Sequence, residues 1–510
     1  MIALVQSLAL RGIEGEVITV EVDIAEGLPS FSLLGLPDSA LYESKERVRS
    51  ALINSGFQWP QARITVSLTP AWLPKRGSSF DLPIAIAILI AQGKIPAKAV
   101  VDRVFLGELS LDGRIQSSRG VIPAVLAAHR AGMKEAILPR ANEREAQLID
   151  EVDTVFAQDL REVVDFLLEG KIPDPLLLDQ DWQITTSDVS IDRDRDFSEI
   201  AGQEGAIETI LAAAVGRHHV LMMGPPGTGK TMMAERVPTI LPPLDRSEIL
   251  EINSIHSLAA GATQLLTRRP FIAPHHSSTK AALVGGGSSL IKPGAISLAH
   301  LGVLFIDEAP ECDQGLLDSL RQPMESGEIT ISRSHSTVTF PAKFQLILAA
   351  NPCPCGRLIG RGRGCSCSSL QIRRYGQRLS GPLLDRIDVA LSVLPMSRSA
   401  FAQKNENLSS AKLRSAVIDA RQIAQERFKG EKFQLNADIP SELLRGKYRA
   451  EKSAMNILFD QLDEGRLSAR SFHRILRLAW SFADLAGRLQ PSKEDVERGV
   501  EMKIHLARDL

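Results

Sequence analysis

The sequence predicts a multidomain α/β protein in which two regions of mixed strands and helices precede a helical region. Its 510 residues are too many for one hydrophobic core and suggest roughly three domains. Short apolar runs alternate with helical patterns up to about residue 394, and amphipathic helical patterns dominate after residue 397. We therefore expect an α/β domain at 1–170, a linker at 171–196, a parallel-sheet core at 197–395 and a helical domain at 396–510.

The first domain is predicted from β-rich runs such as 15–22 and helical runs such as 122–131. The stretch 171–196 follows it and carries Pro173, Pro175 and many Asp and Ser residues. Because this stretch has little apolar periodicity, it is interpreted as the linker.

The second domain is predicted from short apolar strands at 219–223, 302–306 and 344–349, with helices between them. This alternation is typical of a parallel sheet covered on both faces. The third domain is predicted from the amphipathic helical patterns at 410–428 and 469–489.

The composition excludes several classes of protein. Hydrophobic residues make up 44% and charged residues 24% of the chain, as in a globular protein, and the net charge is −2. The whole molecule is therefore no polycation, and any DNA contact must come from a local patch. The longest apolar run, 82–91, is about half the length that a bilayer requires. Since the first residues also lack a basic leader, we expect a cytoplasmic protein without membrane contact.

A glycine-rich loop follows the strand at 219–223 and leads into a helix. Glycines let successive backbone N–H groups converge on phosphate oxygens, with the helix N-terminus behind them. A fortuitous glycine-rich turn would not account for this strand and helix. In the motif, the lysine would reach the β- and γ-phosphates and the final threonine would ligate Mg²⁺. The sequence thus predicts that ATP and Mg²⁺ bind to Gly224, Pro225, Pro226, Gly227, Thr228, Gly229, Lys230 and Thr231.

Two later strands end in polar residues. The apolar run 303–306 precedes Asp307 and Glu308, and the run 344–350 precedes Asn351. Ligands of parallel sheets bind at the carboxyl ends of the strands, where Asp307 would hold Mg²⁺ through water and Glu308 would act as a general base. The alternatives are a solvated strand end for the acidic pair and an Asn-Pro turn for Asn351.

The order of loop, Asp-Glu strand and strand-terminal Asn resembles the AAA+ ATPases. The resemblance implies that Asn351 senses the γ-phosphate. The run at 383–388 resembles the segment that carries the arginine finger in the helicase-like and chelatase-like branch, which implies that Arg386 acts in a neighbouring subunit of a hexameric ring. An ion pair of Arg386 with Asp385 or Asp388 is the alternative. In the helical domain, Arg470 rather than Arg474 resembles the second sensor of the lid.

Four of the five cysteines lie within fifteen residues, at Cys353, Cys355, Cys365 and Cys367. Four thiolates in two close pairs suit a tetrahedral structural Zn²⁺ and leave no open position for catalysis. The C-x-C spacing is shorter than the commoner C-x₂-C, so ordinary reduced cysteines or a redox-labile pair remain alternatives.

The same region is basic. It holds seven arginines and one acidic residue between Cys353 and Arg386. Such a patch could contact a nucleic-acid backbone. Contacts with a neighbouring subunit or with ATP are the alternatives.

Two stretches exceed a minimal nucleotide-binding core. One spans 268–294, and the other, 327–340, reads as a β-hairpin with a polar tip. Inserted hairpins of similar ring motors face the central pore, so Lys292, Arg333 and His335 are candidate DNA-contacting residues. The neighbouring histidines 275 and 276 lack partners at metal-binding spacing.

The first domain resembles the proteolytic domain of Lon, on the runs 106–115 and 125–132. Lon uses a serine–lysine dyad, whose matching positions fall near Asp81 and Ile122. Ser78 and Ser79 lie nearby in the sequence, but no lysine stands at the matching position. The sequence therefore predicts a Lon-protease-like domain without its catalytic dyad.

Together, the Lon-like domain, the chelatase-like AAA+ core, the cysteine cluster and the run 380–388 resemble the ComM/YifB family. The family implies a hexameric ATP-dependent DNA motor, a helicase acting in branch migration when DNA is integrated during natural transformation. It also implies DNA, single-stranded or branched, and recombination proteins as partners. A magnesium-chelatase-type motor that remodels a protein partner is the alternative.

Overall fold

The computed structural model describes residues 2–35, 42–73, 75, 77–172, 195–260, 265–287, 291–333, 336–358, 364–395 and 408–508. Most of the predicted linker 171–196 lies outside the described residues, and so does His335.

The N-terminal region is built around a seven-stranded mixed sheet with the strand order β3-β4-β2-β1-β5-β8-β9. Strands β1, β2 and β4 pair antiparallel, whereas the remaining neighbours pair parallel. Apart from Asp81 at its start, helix α2 (Asp81–Ala91) is apolar on all sides, and every one of its residues is buried, as expected of a helix inside a core. The elements are β1 (Ile2–Arg11), β2 (Glu14–Ala25), β3 (Ser30–Leu34), α1 (Ser44–Asn54), β4 (Arg63–Thr69), α2 (Asp81–Ala91), β5 (Arg103–Phe105), β6 (Glu108–Leu109), β7 (Ile115–Gln116), α3 (Val121–Arg130), β8 (Glu135–Pro139), α4 (Glu143–Ala146), β9 (Asp153–Ala157) and α5 (Leu160–Glu169).

The central region contains a five-stranded parallel sheet with the order β11-β14-β17-β10-β18. Alternate residues of each strand enter two separate apolar clusters. On β10, for example, Leu221 and Met223 join one cluster, while Val220 and Met222 join the other. Both faces of the sheet are thus covered, as the apolar strands predict. The elements are α6 (Glu204–Gly216), β10 (Val220–Met223), α7 (Lys230–Ile240), α8 (Arg246–Ala260), β11 (Phe271–Ile272), α9 (Lys280–Val284), β12 (Gly285–Gly286), β13 (Lys292–Pro293), α10 (Ala295–Leu298), β14 (Val303–Ile306), α11 (Gln314–Asp318), α12 (Pro323–Ser326), β15 (Glu328–Arg333), β16 (Ser336–Pro341), β17 (Gln345–Ala350), α13 (Ser369–Gly376), α14 (Gly381–Leu384) and β18 (Val389–Ser392).

The C-terminal region is helical in all its described elements of regular structure, in line with the amphipathic patterns. Its helices surround a cluster that includes Phe428, Tyr448 and Trp480, in which the rings of Phe428 and Trp480 meet that of Tyr448 edge to face. Among the described helices, none has the length and hydropathy that a bilayer crossing needs. The helices are α15 (Ser410–Arg427), α16 (Ser441–Leu444), α17 (Lys452–Asp463), α18 (Ala469–Leu485) and α19 (Lys493–Arg508).

The turn between β1 and β2 contacts the hairpin β15–β16 of the central region. Arg11 donates hydrogen bonds from Nε and Nη2 to the carbonyl oxygen of Thr337, at 3.0 and 2.9 Å. Gly12 has a φ of 66°, and a Cβ at this residue would lie 2.5 Å from Cγ1 of Val338. The turn therefore needs glycine at this position both for its backbone conformation and for its close approach to the hairpin.

Candidate functional site

The glycine-rich loop lies at the carboxyl end of the central sheet. Strand β10 runs between β17 and β18, and α7 begins at Lys230 directly after the loop. Gly227 and Gly229 have φ values of 76° and 91°, which glycine adopts at little cost. The backbone amides of the loop and the N-terminus of α7 consequently meet at one place, as in an anion-binding site.

Lys230 is folded back onto this loop. Its Nζ donates to the carbonyl oxygens of Gly224 and Pro225, at 2.6 and 2.9 Å, and to Oδ1 of Asn351, at 3.3 Å. Burial lowers the pKa of Lys230, and the charges of Asp307 and Glu308 oppose this shift. The lysine from the loop and the asparagine from the end of β17 are thus in direct contact.

The two predicted Mg²⁺ ligands are also in contact. Thr231 Oγ1 donates a hydrogen bond of 2.9 Å to Oδ2 of Asp307, which follows β14. A hydroxyl and a carboxylate oxygen are ligands that Mg²⁺ prefers. The residues present therefore fit the ion that the sequence predicts.

Glu308 adopts a backbone conformation that is unusual for this residue type, with a φ of 48°. Its N–H donates to Oδ1 of Asp307 at 2.9 Å, and its Oε2 lies 3.5 Å from Nδ1 of His276. Left-handed backbone at non-glycine residues is concentrated at functional sites. The sequence did not connect His276 with this glutamate, because the pair becomes adjacent only when β11 and β14 pair in the sheet.

Arg386 and Arg470 lie together, at a shared carboxylate. Arg386 is 8% exposed, and its Nη2 lies 2.7 Å from Oε1 of Glu325. Arg470 Nη2 lies 3.8 Å from the same oxygen, and its Nη1 lies 3.3 Å from Oδ2 of Asp385. The sequence offered Asp385 or Asp388 as an ion-pair partner of Arg386; in the structure that partner is Glu325 of α12.

Arg474 has a different environment, one turn further along α18. Its Nη1 lies 2.6 Å from Oδ1 of the buried Asp388 and donates to the carbonyl oxygen of Arg386 at 2.8 Å. Lys503 of α19 donates to the carbonyl oxygen of Ile387 at 2.6 Å. The helical region thus holds the segment that carries Arg386.

The four clustered cysteines converge. Sγ of Cys353 lies 3.4 Å from that of Cys355 and 3.7 Å from that of Cys365, and the last two sulfurs are 3.6 Å apart. The sulfurs of all four, including Cys367, lie within 4.8 Å of one another. Zn–S bonds of about 2.3 Å in a tetrahedron give S–S separations of about 3.8 Å, so the thiols fit a zinc ion. Among the described residues, this is the single group of His, Cys and acidic side chains with the spacing of a metal site.

The loop with the cysteines also touches the glycine-rich loop. A Cβ at Gly356, whose φ is 71°, would lie 2.6 Å from Cδ of Pro226 and 3.9 Å from Cγ of Asn351. The hydroxyl of Tyr375 also forms a hydrogen bond with the backbone of Asn351, and burial raises the pKa of Tyr375 to about 12. The cysteine loop is therefore packed against the predicted nucleotide site, a contact that the sequence did not reveal.

The basic stretch is divided between two environments. Arg378 pairs with Glu311 at 2.7 Å, and Arg386 pairs with Glu325. Arg378 is nevertheless exposed, as are Arg373 and Arg374 of α13, whereas Arg386 is buried.

The candidate DNA-contacting residues come from two neighbouring hairpins. Lys292 pairs with Gly286 in the β12–β13 hairpin, and a Cβ at Gly286 would lie 2.7 Å from Nη2 of Arg333. Both Lys292 and Arg333 are exposed. The structure brings these two cations to one surface, while His335 lies outside the described residues.

The positions that match the Lon dyad are buried. Asp81 is fully buried and bound to Arg47, with 2.6 Å between Oδ2 and Nε; burial raises its pKa, and Arg47 opposes this. Ile122 is fully buried in the core. Ser78 and Ser79 instead line a cavity of about 250 Å³ together with Glu108.

Comparison with known proteins agrees with these features. Family models match three parts of the chain: magnesium chelatase, subunit ChlI, at residues 196–401; subunit ChlI of Mg-chelatase at 20–142; and the ChlI C-terminal model at 407–503. A Lon protease of Solibacter usitatus is 28% identical over 179 residues, which are 32% of this chain and 22% of the protease. These matches and the two α/β sheets support a chelatase-type AAA+ protein with a partial likeness to Lon.

Several relatives match over nearly their full length. An uncharacterized protein of Mycobacterium tuberculosis is 44% identical, with 98% of this chain and 97% of the relative covered. Competence protein ComM of Haemophilus influenzae is 41% identical, with 96% and 95% covered. YifB of Salmonella typhimurium, itself uncharacterized, is 39% identical, with 98% and 97% covered. The chain therefore belongs to the ComM/YifB family of magnesium-chelatase-related proteins.

Proposed function

We propose that this chain hydrolyses ATP and uses the energy, as a hexamer, to move DNA strands during branch migration. The observation that carries the ATP-hydrolysing part is the convergence of Lys230, Thr231, Asp307 and Asn351 at the carboxyl end of one parallel sheet. These groups come from three different strands or the turns after them, and together they supply the positive charge and polar ligands that phosphoryl transfer requires.

In the proposed reaction Lys230 exchanges its backbone acceptors for the β- and γ-phosphates, which carry the larger negative charge. Mg²⁺, held by Thr231 and Asp307, would neutralise charge on the same phosphates. Glu308 accepts the proton of the attacking water, and Asn351 orients that water against the γ-phosphate. His276 contacts the carboxylate of Glu308 and so limits its orientations.

The location of two arginines supports an assembly in which neighbouring subunits share a site, and the resemblance to AAA+ ring motors implies that this assembly is a hexamer. Among the described hydrogen bonds and ion pairs of Arg386 and Arg470, none joins either residue to 224–231 of the same chain, whereas both approach Glu325. We infer that both arginines act on the nucleotide of a neighbouring subunit, where an arginine stabilises the charge of the transition state. In this proposal Arg470 still acts as the second sensor of the lid, but it contacts the nucleotide of the neighbouring subunit and not that of its own chain.

DNA as the substrate is supported by the relative named competence protein ComM and by the exposed cations of the hairpins. Lys292 and Arg333 lie on one surface, where they could contact the phosphates of a strand, and the overall charge of −2 leaves recognition to such local patches. We propose single-stranded or branched DNA as the ligand and recombination proteins as partners. A structural zinc ion at the four cysteines completes the proposed cofactors.

The matches to magnesium chelatase subunit ChlI favour a second candidate, a motor that remodels a protein partner. The deciding experiment measures ATP hydrolysis with and without a branched DNA, together with the movement of a labelled three-strand junction. The DNA motor predicts faster hydrolysis with DNA and ATP-dependent strand movement. Intact hexamers that show neither, with Mg²⁺ present, would remove this function and favour the protein-remodelling motor.

A matched variant tests the site itself. Lys230→Ala should leave the circular dichroism spectrum and the assembly unchanged while abolishing ATP turnover, because the phosphates lose their main cation. Turnover at the wild-type rate in this variant would discard the assigned nucleotide site.

A further inference from the structure

We propose that a zinc ion bound by the four cysteines holds the glycine-rich loop in its nucleotide-binding conformation, so that metal occupancy sets the affinity of this protein for ATP. The inference rests on the proposed ATP-hydrolysing function and assigns the cysteine cluster a role at that same site. Three observations support it. The four cysteine sulfurs lie close together, Gly356 contacts Pro226 of the glycine-rich loop, and the backbone links Cys353 directly to Asn351 through Pro352.

The first contact concerns the metal. The Sγ separations among Cys353, Cys355 and Cys365, 3.4 to 3.7 Å, are close to the edges of a ZnS₄ tetrahedron, and Cys353 is fully buried. Without an ion, four converging thiols have little to hold them together, since thiols form only weak hydrogen bonds. The described segments that carry the four thiols, 353–358 and 364–367, therefore depend on the metal to stay together.

The second contact joins this loop to the predicted phosphate site. Gly356 directly follows the ligand Cys355 and lies against Pro226, leaving no room for a Cβ. The N–H of Gly356 donates to the carbonyl oxygen of Cys353 at 2.9 Å, which closes a tight turn around the first two ligands. Because Pro226 is the third residue of the glycine-rich loop, the metal-bound turn forms one wall of that loop.

The third contact is covalent. Asn351 accepts a hydrogen bond from Lys230 and is followed, after Pro352, by Cys353. A metal that fixes Cys353 therefore also fixes the end of β17 from which Asn351 reaches the lysine. Release of the ion would free both the wall at Pro226 and the residue proposed to sense the γ-phosphate.

The size of the change in nucleotide affinity depends on the fraction of molecules in which the glycine-rich loop has its nucleotide-binding conformation. If the metal-free protein populates the binding-competent loop about a tenth of the time, the apparent Kd for nucleotide rises about tenfold. The change should appear with a non-hydrolysable ATP analogue, since it concerns binding and not chemistry.

The test uses the full-length protein. Metal content is measured by mass spectrometry, and the Kd of a fluorescent ATP analogue is measured before zinc removal by a chelator, after it, and after zinc is returned. We expect about one zinc per chain, a Kd at least about tenfold higher without zinc, and recovery on its return. Circular dichroism and gel filtration of the zinc-free protein establish that the chain remains folded.

Two glycine variants separate metal binding from loop contact. Gly356→Ala keeps all four thiols but places a Cβ against Pro226, so it should retain zinc and lose nucleotide affinity. Gly364→Ala is the matched control, because Gly364 also has a positive φ, of 96°, beside a ligand, and a Cβ there meets no atom of the described residues within 4 Å. This control should retain both zinc and nucleotide. Cys312→Ala, outside the cluster, should also retain zinc.

The outcomes are distinct. Freshly purified protein with no zinc, or with iron in its place, overturns the metal assignment. Folded zinc-free protein that binds nucleotide with unchanged affinity overturns the coupling, while leaving ATP hydrolysis intact. Zinc-loaded protein that binds no nucleotide at all refutes the proposed function, and this inference with it.

Discussion

Arg470 and Arg474 lie one turn apart on α18, and substituting each by methionine should affect different properties. We expect Arg474→Met to lower the stability of α18 and Arg470→Met to lower ATP turnover. Arg474 Nη1 lies 2.6 Å from Oδ1 of Asp388, and the two side chains are 11% and 3% exposed. Burial alone would raise the pKa of Asp388, but Arg474 and His218 keep it well below its ordinary value, so the carboxylate is charged. Arg474→Met would leave the charged carboxylate of Asp388 buried without its guanidinium partner.

The expected cost is large for Arg474 and small for Arg470. Removing one partner of a buried ion pair costs about 3–5 kcal/mol, because the remaining charge stays buried without its oppositely charged partner. The pair of Arg470 and Asp385 is 48% and 42% exposed, and exposed pairs contribute about 0–1 kcal/mol. Arg470→Met should therefore keep the stability of α18 and reduce ATP turnover of the assembled protein, since this arginine is proposed to act at the neighbour's nucleotide.

Hydrogen exchange of the amides in α18 measures the local free energy of opening, and phosphate release measures turnover. Arg474→Met should exchange faster throughout α18, whereas Arg470→Met should exchange like the wild type. If Arg474→Met leaves exchange unchanged, the buried pair does not fasten this helix. If Arg470→Met hydrolyses ATP at the wild-type rate, its proposed action on the nucleotide is wrong.

Three further predictions concern the nucleotide site, the buried histidine before it and the hairpins. Glu308→Gln should lower turnover at least about 100-fold through loss of the general base, with analogue binding unchanged; phosphate release and titration measure both, and a loss below tenfold would contradict the role. Burial lowers the pKa of His219 from 6.5 to about 3, so only the unfolded chain takes up the proton as the pH falls through this window. Proton uptake at His219 should therefore lower the free energy of unfolding by about 1.4 kcal/mol for each unit that the pH falls between 6.5 and about 3. His219→Asn keeps an acceptor for the N–H of Leu346 and should remove this contribution. Urea titrations at several pH values measure the free energy of unfolding, and the same pH dependence in the variant and the wild type would refute the prediction. Lys292→Ala and Arg333→Ala should each weaken DNA binding, measured by fluorescence anisotropy. Each should also reduce the slope of the logarithm of the binding constant against the logarithm of salt concentration by about one, because one phosphate contact is lost. A variant with the wild-type slope would show that its residue does not contact DNA.

Much of the candidate site could be predicted because its signals are local. The glycine-rich loop, the acidic pair after β14 and the asparagine after β17 each follow an apolar strand, and parallel strands bring their carboxyl ends together. The hairpin β15–β16 was also predicted from its own residues, and its strands pair from Glu328 to Pro341. The role of each residue stays a prediction until the variants are measured.

The remaining contacts depend on residues that are distant in sequence. The partner of Arg386 is Glu325, a residue of the short helix α12, whereas the sequence directed attention to the two aspartates beside the arginine. His276 meets Glu308 only through the pairing of β11 with β14, and β11 has just two residues, too few for a pattern. Likewise, no local signal in the cysteine run indicates that Gly356 lies against Pro226.

The contact between the β1–β2 turn and the hairpin β15–β16 has a mechanical consequence. Strands β1 and β2 pair over ten residues, from Ile2 to Arg11, so they form a ribbon about 33 Å long whose turn, at Gly12, lies against Val338 of the hairpin. A force on the hairpin, such as the pull of a bound strand, would travel along this ribbon into the seven-stranded sheet. A chain truncated to the central and C-terminal regions would retain the glycine-rich loop without this support. We expect such a chain to hydrolyse ATP but to move less DNA for each ATP that it hydrolyses.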